Sequence, residues 1–141
     1  MINETLQPDF DLKDEVSDFK RVKIREEACN LFYELGYEST TLDTVARRLK
    51  VTKPFLYEHY DNKGELLFDI CRTGIALSLD AVSAACSQPR SSTKRLQCLA
   101  ESVLEVIFEY QKSIVVYARE EKNLRDEQAR EIREQRKLFD H

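Results

Sequence analysis

The side chains that could bind an anion are concentrated between Thr41 and Lys63. This stretch combines hydroxyl groups, lysines, arginines, two tyrosines and a histidine, and a proline stands at position 54. Lysine donates hydrogen bonds to guanine O6 and N7 in the major groove, and hydroxyl groups donate to phosphate oxygens. The first turn of a helix adds backbone N–H groups that favour phosphate. The chemistry predicted for this stretch is therefore nucleic-acid binding.

Two short helices separated by a tight turn would position these side chains. Pro54 stands in the first turn of the second helix, where proline is tolerated, and residues 50–52 separate the two helices. Leu56 and Tyr60 lie four residues apart, so they share one face and are predicted to be core residues. The first helix carries the apolar spacing of a single buried face: Leu42, Val45, Ala46 and Leu49. A helix, a short turn and a second helix form the DNA-binding helix-turn-helix unit.

Helical spacing of apolar residues continues through the rest of the chain, which predicts an all-α protein. Residues 1–17 are predicted to be a disordered acidic tail, because residues 1–18 carry six acids and one lysine. Residues 18–64 are predicted to form a three-helix head whose first helix ends before Gly36. Residues 65–141 are predicted to form a helical body that ends in a charged helix beginning at Arg119. The apolar seam predicted for that last helix is Leu124, Gln128, Ile132 and Phe139.

The charge distribution supports the nucleic-acid interpretation only weakly. The 141-residue chain has a formal net charge of −4, but residues 19–64 hold nine basic and seven acidic residues. The net positive stretch therefore contains the helix-turn-helix. Every apolar run is shorter than the roughly 20 residues of a membrane span, and the acidic N-terminus does not resemble a signal peptide. A cytoplasmic protein is expected.

Enzymatic chemistry is not predicted. The chain has two histidines and no glycine-rich phosphate loop, metal-spaced cluster or nucleophile elbow, so we expect no catalytic residue, metal site or cofactor. The four cysteines, Cys29, Cys71, Cys86 and Cys98, lack C-x-x-C spacing and are expected to be small apolar thiols. A thiol sensor using Cys86 and Cys98 is the alternative.

The segment from Arg25 to Leu67 resembles the DNA-binding domain of the TetR family of bacterial transcriptional regulators. The matching residues are Ala28, Leu31-Phe32, Gly36-Tyr37, Thr40-Thr41, Val45-Ala46, Val51-Thr52-Lys53, Leu56-Tyr57, His59-Tyr60, Lys63 and Leu66-Leu67. Lys50 departs from the pattern, since the family usually has glycine at this turn. If Lys50 adopts a left-handed conformation, it costs on the order of 1 kcal/mol more than glycine.

The resemblance implies which residues face DNA. Lys53 is expected to reach a base edge, and Tyr57, His59 and Lys63 are expected to contact the phosphate backbone. The full set of implied DNA-binding residues is Thr41, Arg47, Lys50, Thr52, Lys53, Pro54, Phe55, Tyr57, His59 and Lys63.

Several of these positions have two interpretations. Phe55 either touches a thymine methyl group or packs against the first helix. Either Thr40, in a capping box with Asp43, or Thr41 caps the second helix. Arg47 or Arg48 is expected to flank the groove. The basic residues before and within the first helix form a solvated face or reach an adjacent minor groove: Lys20, Arg21, Lys23 and Arg25.

For the body, the resemblance implies a regulatory domain that binds small molecules and whose last helices form a homodimer. Since family members are longer, it also implies that this body is truncated. Leu77, Phe108, Tyr110 and Tyr117 are candidate pocket residues, and the effector is unknown, with an acyl-coenzyme A or another apolar ligand as a lead. The expected function is a ligand-responsive repressor that binds a palindromic double-stranded DNA operator as a dimer. A transcriptional activator with the same head, and a helical protein-interaction module that does not bind DNA specifically, are the alternatives.

Overall fold

The computed structural model describes residues 12–86 and 92–137, which fold into seven α-helices and a short 3-10 helix. The elements are α1 (Leu12–Leu35), α2 (Leu42–Leu49), α3 (Lys53–Tyr57), α4 (Lys63–Cys86), α5 (Ser92–Glu109), α6 (Gln111–Glu120), the 3-10 helix (Glu121–Asn123) and α7 (Asp126–Arg136). The described ranges contain no strand, which confirms the all-α prediction. Within them, the helices lack the combination of length and apolarity that crossing a membrane requires.

Helix α1 begins six residues before its predicted start. The predicted acidic tail includes residues 12–17, but these residues form the first turns of α1, so that part of the prediction is wrong. These acidic residues are compatible with a helix because Asp14 and Glu15 lie in its first turn, where the positive end of the helix dipole stabilises acidic side chains. The rest of the predicted tail, residues 1–11, lies outside the described residues.

The head is built around one apolar core that α1, α2, α3 and the start of α4 share. Leu56 and Tyr60 are buried in it, as predicted. Their partners on the other elements are Ile24, Ala28, Leu31, Phe32, Val45, Ala46, Leu66 and Leu67. Since Leu66 and Leu67 belong to α4, the body's first helix completes the core of the head.

The turn between α1 and α2 decides between the two possible caps. Gly36 has a φ of 88°, in the left-handed region that favours glycine, and α1 ends just before it, as predicted. Thr40 is buried and its hydroxyl donates to the carbonyl of Gly36 at 2.8 Å, so it is not a cap. The Thr41 Oγ1 accepts the backbone N–H of Thr44 at 3.1 Å and caps α2. The capping box with Asp43 is therefore wrong.

In the body, α4 packs against α5, α6 and α7, and α6 also contacts α1 of the head. Two side chains of α6 fasten it to α1. Arg119 donates to the carbonyls of Phe32 and Tyr33 at 3.3 and 2.9 Å, and the Lys112 Nζ lies 3.0 Å from the Asn30 Oδ1. The head and the described part of the body therefore contact each other through both α4 and α6.

The charged segment after Arg119 is interrupted, whereas its sequence predicts one continuous helix. Leu124 has an extended backbone, with a φ of −82° and a ψ of 147°, and it separates the 3-10 helix from α7. Leu124, Gln128 and Ile132 are buried, so these three members of the predicted seam are confirmed. Phe139 lies outside the described residues. The Arg125 Nη2 pairs with the Glu65 Oε1 at 2.9 Å, which ties the start of α7 to α4.

Candidate nucleic-acid interface

The turn between α2 and α3 is a left-handed cap formed by a lysine. Lys50 has a φ of 60° and a ψ of 43°, so it occupies the conformation in which the usual glycine has an advantage. Its N–H donates to the carbonyl of Arg47 at 3.2 Å, and the N–H of Val51 donates to the carbonyl of Ala46 at 3.0 Å. These bonds close the C-terminal end of α2, and the Lys50 side chain remains exposed.

Helix α3 presents alternate faces to the core and to the solvent. Thr52 caps it by accepting the N–H of Phe55 at 3.3 Å, and Pro54 lies in its first turn, as predicted. Leu56 is fully buried, whereas Tyr57 is 51% exposed. The exposed residues of the helix-turn-helix include Thr41, Arg47, Thr52, Lys53, Pro54 and Tyr57.

Lys53 points away from the core. Its side chain is 56% exposed, and its Nζ lies 3.9 Å from the Oδ1 of the exposed Asp43. An ion pair of this length between exposed groups contributes about 0–1 kcal/mol. An incoming phosphate or base edge can therefore replace Asp43 as the partner of the Lys53 ammonium group at a small cost in free energy.

Phe55 and His59 form a half-buried aromatic pair at the edge of the head. Their ring centroids are 5.4 Å apart, and the Nζ of Lys20 on α1 lies 5.4 Å from the Phe55 ring centroid. This placement favours the packing interpretation of Phe55. Burial, followed by the charge of Arg21, lowers the pKa of His59 from its ordinary 6.5. The imidazole is therefore neutral at pH 7 and offers one N–H donor.

Lys63 has a structural role that sequence reasoning missed. Its Nζ donates to the carbonyls of Tyr37 and Thr40 at 2.8 and 3.2 Å, and it lies 4.2 Å from the centroid of the Tyr37 ring. The ammonium group thus ties the start of α4 to the loop before α2. A lysine has three donors, so one N–H remains for the predicted phosphate contact.

Other basic residues of the head bind protein groups. Arg48 pairs with Glu27 and Glu34 of α1 at 3.4 and 3.6 Å, so its guanidinium is directed toward α1. The Arg21 Nη2 donates to the carbonyl of His59 at 3.1 Å. Arg25 pairs with Asp69 of α4 at 3.2 Å. The structure therefore assigns Arg21 and Arg25 to contacts within the protein, and the minor-groove interpretation does not apply to them.

Asp69 is the centre of a polar cluster at the joint between head and body. Its carboxylate accepts hydrogen bonds from the Tyr60 hydroxyl, from Arg25 at 3.2 Å, from Arg72 at 3.0 Å and from Thr73 at 3.3 Å. Burial raises the pKa of Asp69, but the hydrogen bonds from Tyr60 and Arg72 and the charge of Arg25 outweigh it, so the pKa is lowered overall. Burial and the bond to Asp69 raise the pKa of Tyr60 to about 12. Sequence reasoning missed this cluster, since Arg25 is 44 residues away from Asp69.

Comparison with known proteins places the chain in a family. Residues 24–70 match the family described as bacterial regulatory proteins, tetR family, and residues 89–141 match the tetracyclin repressor-like C-terminal domain. The two matches cover the head and most of the body. The chain belongs to the TetR family.

Named relatives of this TetR-family chain are transcriptional regulators. The negative regulator IcaR of the biofilm operon icaADBC in Staphylococcus epidermidis is 48% identical over 44 residues, which are 31% of this chain and 24% of IcaR. The transcriptional activator FasR of Mycolicibacterium smegmatis is 27% identical over 90 residues, which are 64% of this chain and 41% of FasR. Neither match extends over half of the relative.

Solved structures of TetR-family proteins share the fold. PfmR from Thermus thermophilus superposes with a TM-score of 0.73 and 27% identity, covering 81% of this chain and 62% of PfmR. AibR, in a complex with isovaleryl coenzyme A and operator DNA, has a TM-score of 0.71 and 28% identity, covering 84% of this chain and 65% of AibR. The chain thus spans less than two thirds of each of these proteins.

The TetR-family body contains two cavities beside α4. The larger has a volume of about 560 Å³ and lies between α4, α5, α6 and α7, and the smaller, of about 470 Å³, lies between α1, α4, α5 and α6. Tyr117 lines the larger cavity, Leu77 and Phe108 line the smaller one, and Tyr110 lines both. The four predicted pocket residues therefore do not line one common cavity.

The cysteines whose side chains are described, Cys29, Cys71 and Cys98, are free thiols. Cys29 and Cys71 are buried, and burial raises the pKa of Cys71 to about 12 and the pKa of Cys29 above its ordinary value. Their burial agrees with the expectation of small apolar side chains. Cys98 is half-buried on α5, and the side chain of Cys86 lies outside the described residues, so the thiol-sensor alternative is not tested. In the described ranges, no group of three or more metal-binding side chains occurs.

Proposed function

We propose that this chain is a ligand-responsive DNA-binding transcriptional regulator, which represses transcription by binding a palindromic operator as a dimer. One observation carries the proposal. Leu56 of α3 and Tyr60 just after it are buried, whereas Lys53, Tyr57 and their neighbours Thr52 and Pro54 are exposed to solvent. This exposed surface of the helix-turn-helix carries the donors that such a unit uses on bases and phosphates.

The roles on this surface divide by donor chemistry. Lys53 is assigned to a base edge, because an ammonium group donates to guanine O6 and N7. Tyr57, with its exposed phenol, and Thr41, Thr52 and Lys50 are assigned to phosphates. Phosphate contacts release counterions, so affinity should fall steeply as salt rises.

A transcriptional activator is the second candidate, because the activator FasR matches 64% of this chain and therefore part of the body as well as the head. The negative regulator IcaR matches 31% of it. A reporter gene behind the operator separates the two: deletion of the regulator raises expression if it represses and lowers expression if it activates.

Retention of genomic DNA fragments in a band-shift assay tests DNA binding directly. We expect Lys53→Ala to weaken operator binding by about tenfold or more, since one base contact contributes about 1–3 kcal/mol of discrimination. Lys122→Ala removes an exposed lysine on the 3-10 helix and is the matched control, with unchanged affinity expected. Equal affinity of a folded Lys53→Ala protein and the wild type would remove Lys53 from the recognition surface.

The same assay addresses the protein-interaction module. Absence of specific retention even at low salt would favour a helical module that does not use its head on DNA. Retention that is insensitive to salt would contradict the phosphate contacts assigned above.

For the effector and the dimer, the support comes from relatives and from the cavities. AibR was crystallised with isovaleryl coenzyme A and operator DNA, and an acyl-coenzyme A or another apolar molecule fits the same general role here. An effector that binds beside α4 would change the relation between two heads only if it favours one arrangement over the other. Sizing the protein in solution with and without operator DNA tests the dimer.

A further inference from the structure

The side of α5 that faces away from the body is apolar. A helix that packs on a protein usually turns its apolar side chains toward the core and its polar ones toward solvent. In α5, the buried residues are Ser102 and Val106, whereas most of the large apolar side chains are exposed. We call this surface the α5 face, and it is formed by six side chains with exposures of 38–79%: Leu96, Leu99, Val103, Leu104, Ile107 and Phe108.

The α5 face is continuous along the helix. At 3.6 residues per turn, its six side chains lie within about half of the helix circumference, and Ser102 and Val106 lie in the other half. Ala100 is exposed as well and lies within the apolar half. From Leu96 to Phe108 the face is about 18 Å long, at a rise of 1.5 Å per residue. A continuous exposed apolar surface of this kind marks an interaction site, and no described residue covers it.

The area of the α5 face matches what the association of two copies requires. A large apolar side chain presents on the order of 150 Å² when it is fully exposed. At exposures of 38–79%, the six side chains therefore present about 500 Å². Two such faces would bury about 1,000 Å² in total, which is the lower limit for a specific interface between proteins. An interface of this size gives association in the micromolar range, on the order of 10 μM.

The charges of α5 are divided between its two ends. Its first turn holds Lys94 and Arg95, and its second half holds Glu101, Glu105 and Glu109. Two copies of α5 that point in the same direction would place like charges next to each other. Two copies that point in opposite directions place the basic start of each helix beside the acidic end of the other, and their helix dipoles attract as well. The charge pattern therefore favours an antiparallel pair of α5 helices.

We propose that the α5 face is an interface through which two copies of this chain pair, with their α5 helices antiparallel about a twofold axis. Each contact in such an interface occurs twice. The register that places Leu96 beside the partner's Ile107 also places Ala100 beside the partner's Val103, so a small side chain faces a larger one at the centre. The pairing rests on the proposed function only in supplying a contact for its dimer, since self-association is measured without DNA.

Sedimentation equilibrium of the full chain without DNA measures the association. We expect a monomer–dimer equilibrium with a dissociation constant on the order of 10 μM. Leu104→Glu places a charge on the α5 face and should raise this constant by about tenfold or more, because the carboxylate would lose its hydration in the interface. Leu12→Glu is the matched control: Leu12 lies on α1 and is 64% exposed, against 67% for Leu104, and its substitution should leave the constant unchanged.

Two outcomes of this measurement overturn the proposal. One is a wild-type chain that stays monomeric up to about 200 μM, well above the expected constant, which would leave the α5 face to a different partner. The other is a dimer whose dissociation constant is the same in Leu104→Glu and in the wild type, which would place the contact on another surface. Leu104 is largely exposed, so circular dichroism should show wild-type helix content in Leu104→Glu.

Charge reversal tests the antiparallel direction. A basic variant carries Glu105→Lys and Glu109→Lys, and an acidic variant carries Lys94→Glu and Arg95→Glu. In an antiparallel pair, each variant alone brings like charges together, so its dissociation constant should rise by about three- to tenfold. An equal mixture of the two variants restores opposite charges at both ends and should dimerise about as tightly as the wild type.

The control for net charge is the double variant Glu127→Lys and Glu131→Lys. These two exposed glutamates lie four residues apart on α7, so the variant has the same change in charge as the basic variant, away from α5. Its dissociation constant should equal that of the wild type. In a parallel pair, like charges already meet in the wild type, so unchanged association of the basic and acidic variants would overturn the antiparallel arrangement. Failure of their mixture to recover would overturn it as well.

Operator retention by the same preparations separates this proposal from the function. A protein that retains DNA but does not associate through α5 overturns the α5 interface alone. A protein that dimerises as expected but retains no DNA overturns the regulatory function and supports the α5 interface.

Discussion

Replacing Asp69 with asparagine should loosen the joint between head and body. Asp69 lies on α4 and accepts from Tyr60 of the head core, from Arg25 of α1 and from two residues of its own helix. An asparagine at this position has one carbonyl oxygen to accept these bonds. Its side-chain NH2 group is itself a donor and would face the groups that now donate to the carboxylate. The substitution thus removes a charge and leaves some of the four donors, among them the buried Tyr60 hydroxyl or the half-buried Arg25, without an acceptor.

The expected loss in the free energy of unfolding is about 2–3 kcal/mol. A hydrogen bond to a charged group contributes about 1.5–3 kcal/mol, and removing one member of a buried ion pair costs about 3–5 kcal/mol. The full cost for a buried ion pair does not apply here, because the Arg72 side chain is 42% exposed and water screens its interaction with Asp69. Arg25, at 20% exposure, keeps most of its interaction with the 8% exposed carboxylate.

The pH dependence of the free energy of unfolding provides a second test of the role of Asp69. Its pKa is lower in the folded protein than the ordinary 3.8. Its contribution is therefore complete above that ordinary value and is lost as the pH falls through the lower, folded value. The stability difference between the wild type and Asp69→Asn should narrow below about pH 4.

Urea denaturation followed by far-UV circular dichroism measures both effects. Asp80→Asn, on the exposed side of the same helix, is the matched control and should change stability by less than about 0.5 kcal/mol. The role assigned to Asp69 would be refuted if Asp69→Asn were as stable as that control at pH 7. It would also be refuted if the stability difference between the wild type and Asp69→Asn stayed constant as the pH fell below about 4. Tyr60→Phe combined with Asp69→Asn should cost less than the sum of the two changes, because they share one hydrogen bond.

Three further changes test the helix-turn-helix. Leu56→Ala should destabilise the protein by about 2–5 kcal/mol and abolish DNA retention through unfolding, since Leu56 is fully buried; a melting temperature close to the wild type would contradict this. Lys50→Gly should stabilise the protein by about 1 kcal/mol, because Lys50 has a φ of 60°; a loss of stability in urea would show that the lysine side chain contributes more than the strain costs. Thr41→Ala should cost about 1 kcal/mol by removing the cap of α2, and unchanged thermal stability would argue against that cap.

The local parts of the fold were predictable because their causes are local. Leu42, Val45 and Ala46 repeat at helical spacing and are buried together, and Gly36 takes the left-handed conformation that its position after a helix indicates. Lys50 occupies a glycine position in the pattern and has the positive φ that the pattern requires. In each case the neighbours within about one turn determine the conformation.

The positions that escaped prediction depend on distant partners. Lys63 is a polar lysine at the start of a helix, and nothing near it in sequence reveals the carbonyls of Tyr37 and Thr40. Arg48 has a neighbour, Arg47, with the same local surroundings, and only the ion pairs with α1 separate their roles. Thr40 and Thr41 are both good caps, and the burial of Thr40 against α1 leaves Thr41 as the cap.

Helix α4 limits how the body and the head can communicate. Leu66 and Leu67 complete the head core, Asp69 holds the joint, and Cys71 begins the wall of the larger cavity, all within two turns of one helix. Gly74 packs against α6, since an added Cβ at this position would lie 3.1 Å from the Cβ of Ser113. A ligand that shifts α4 there must also shift the joint or the contact with α6, because a packed helix moves as a unit and interior packing has no slack to absorb the shift. Coupling between cavity and head therefore requires that the ligand favour one of the positions of α4, and it cannot arise from tight binding alone.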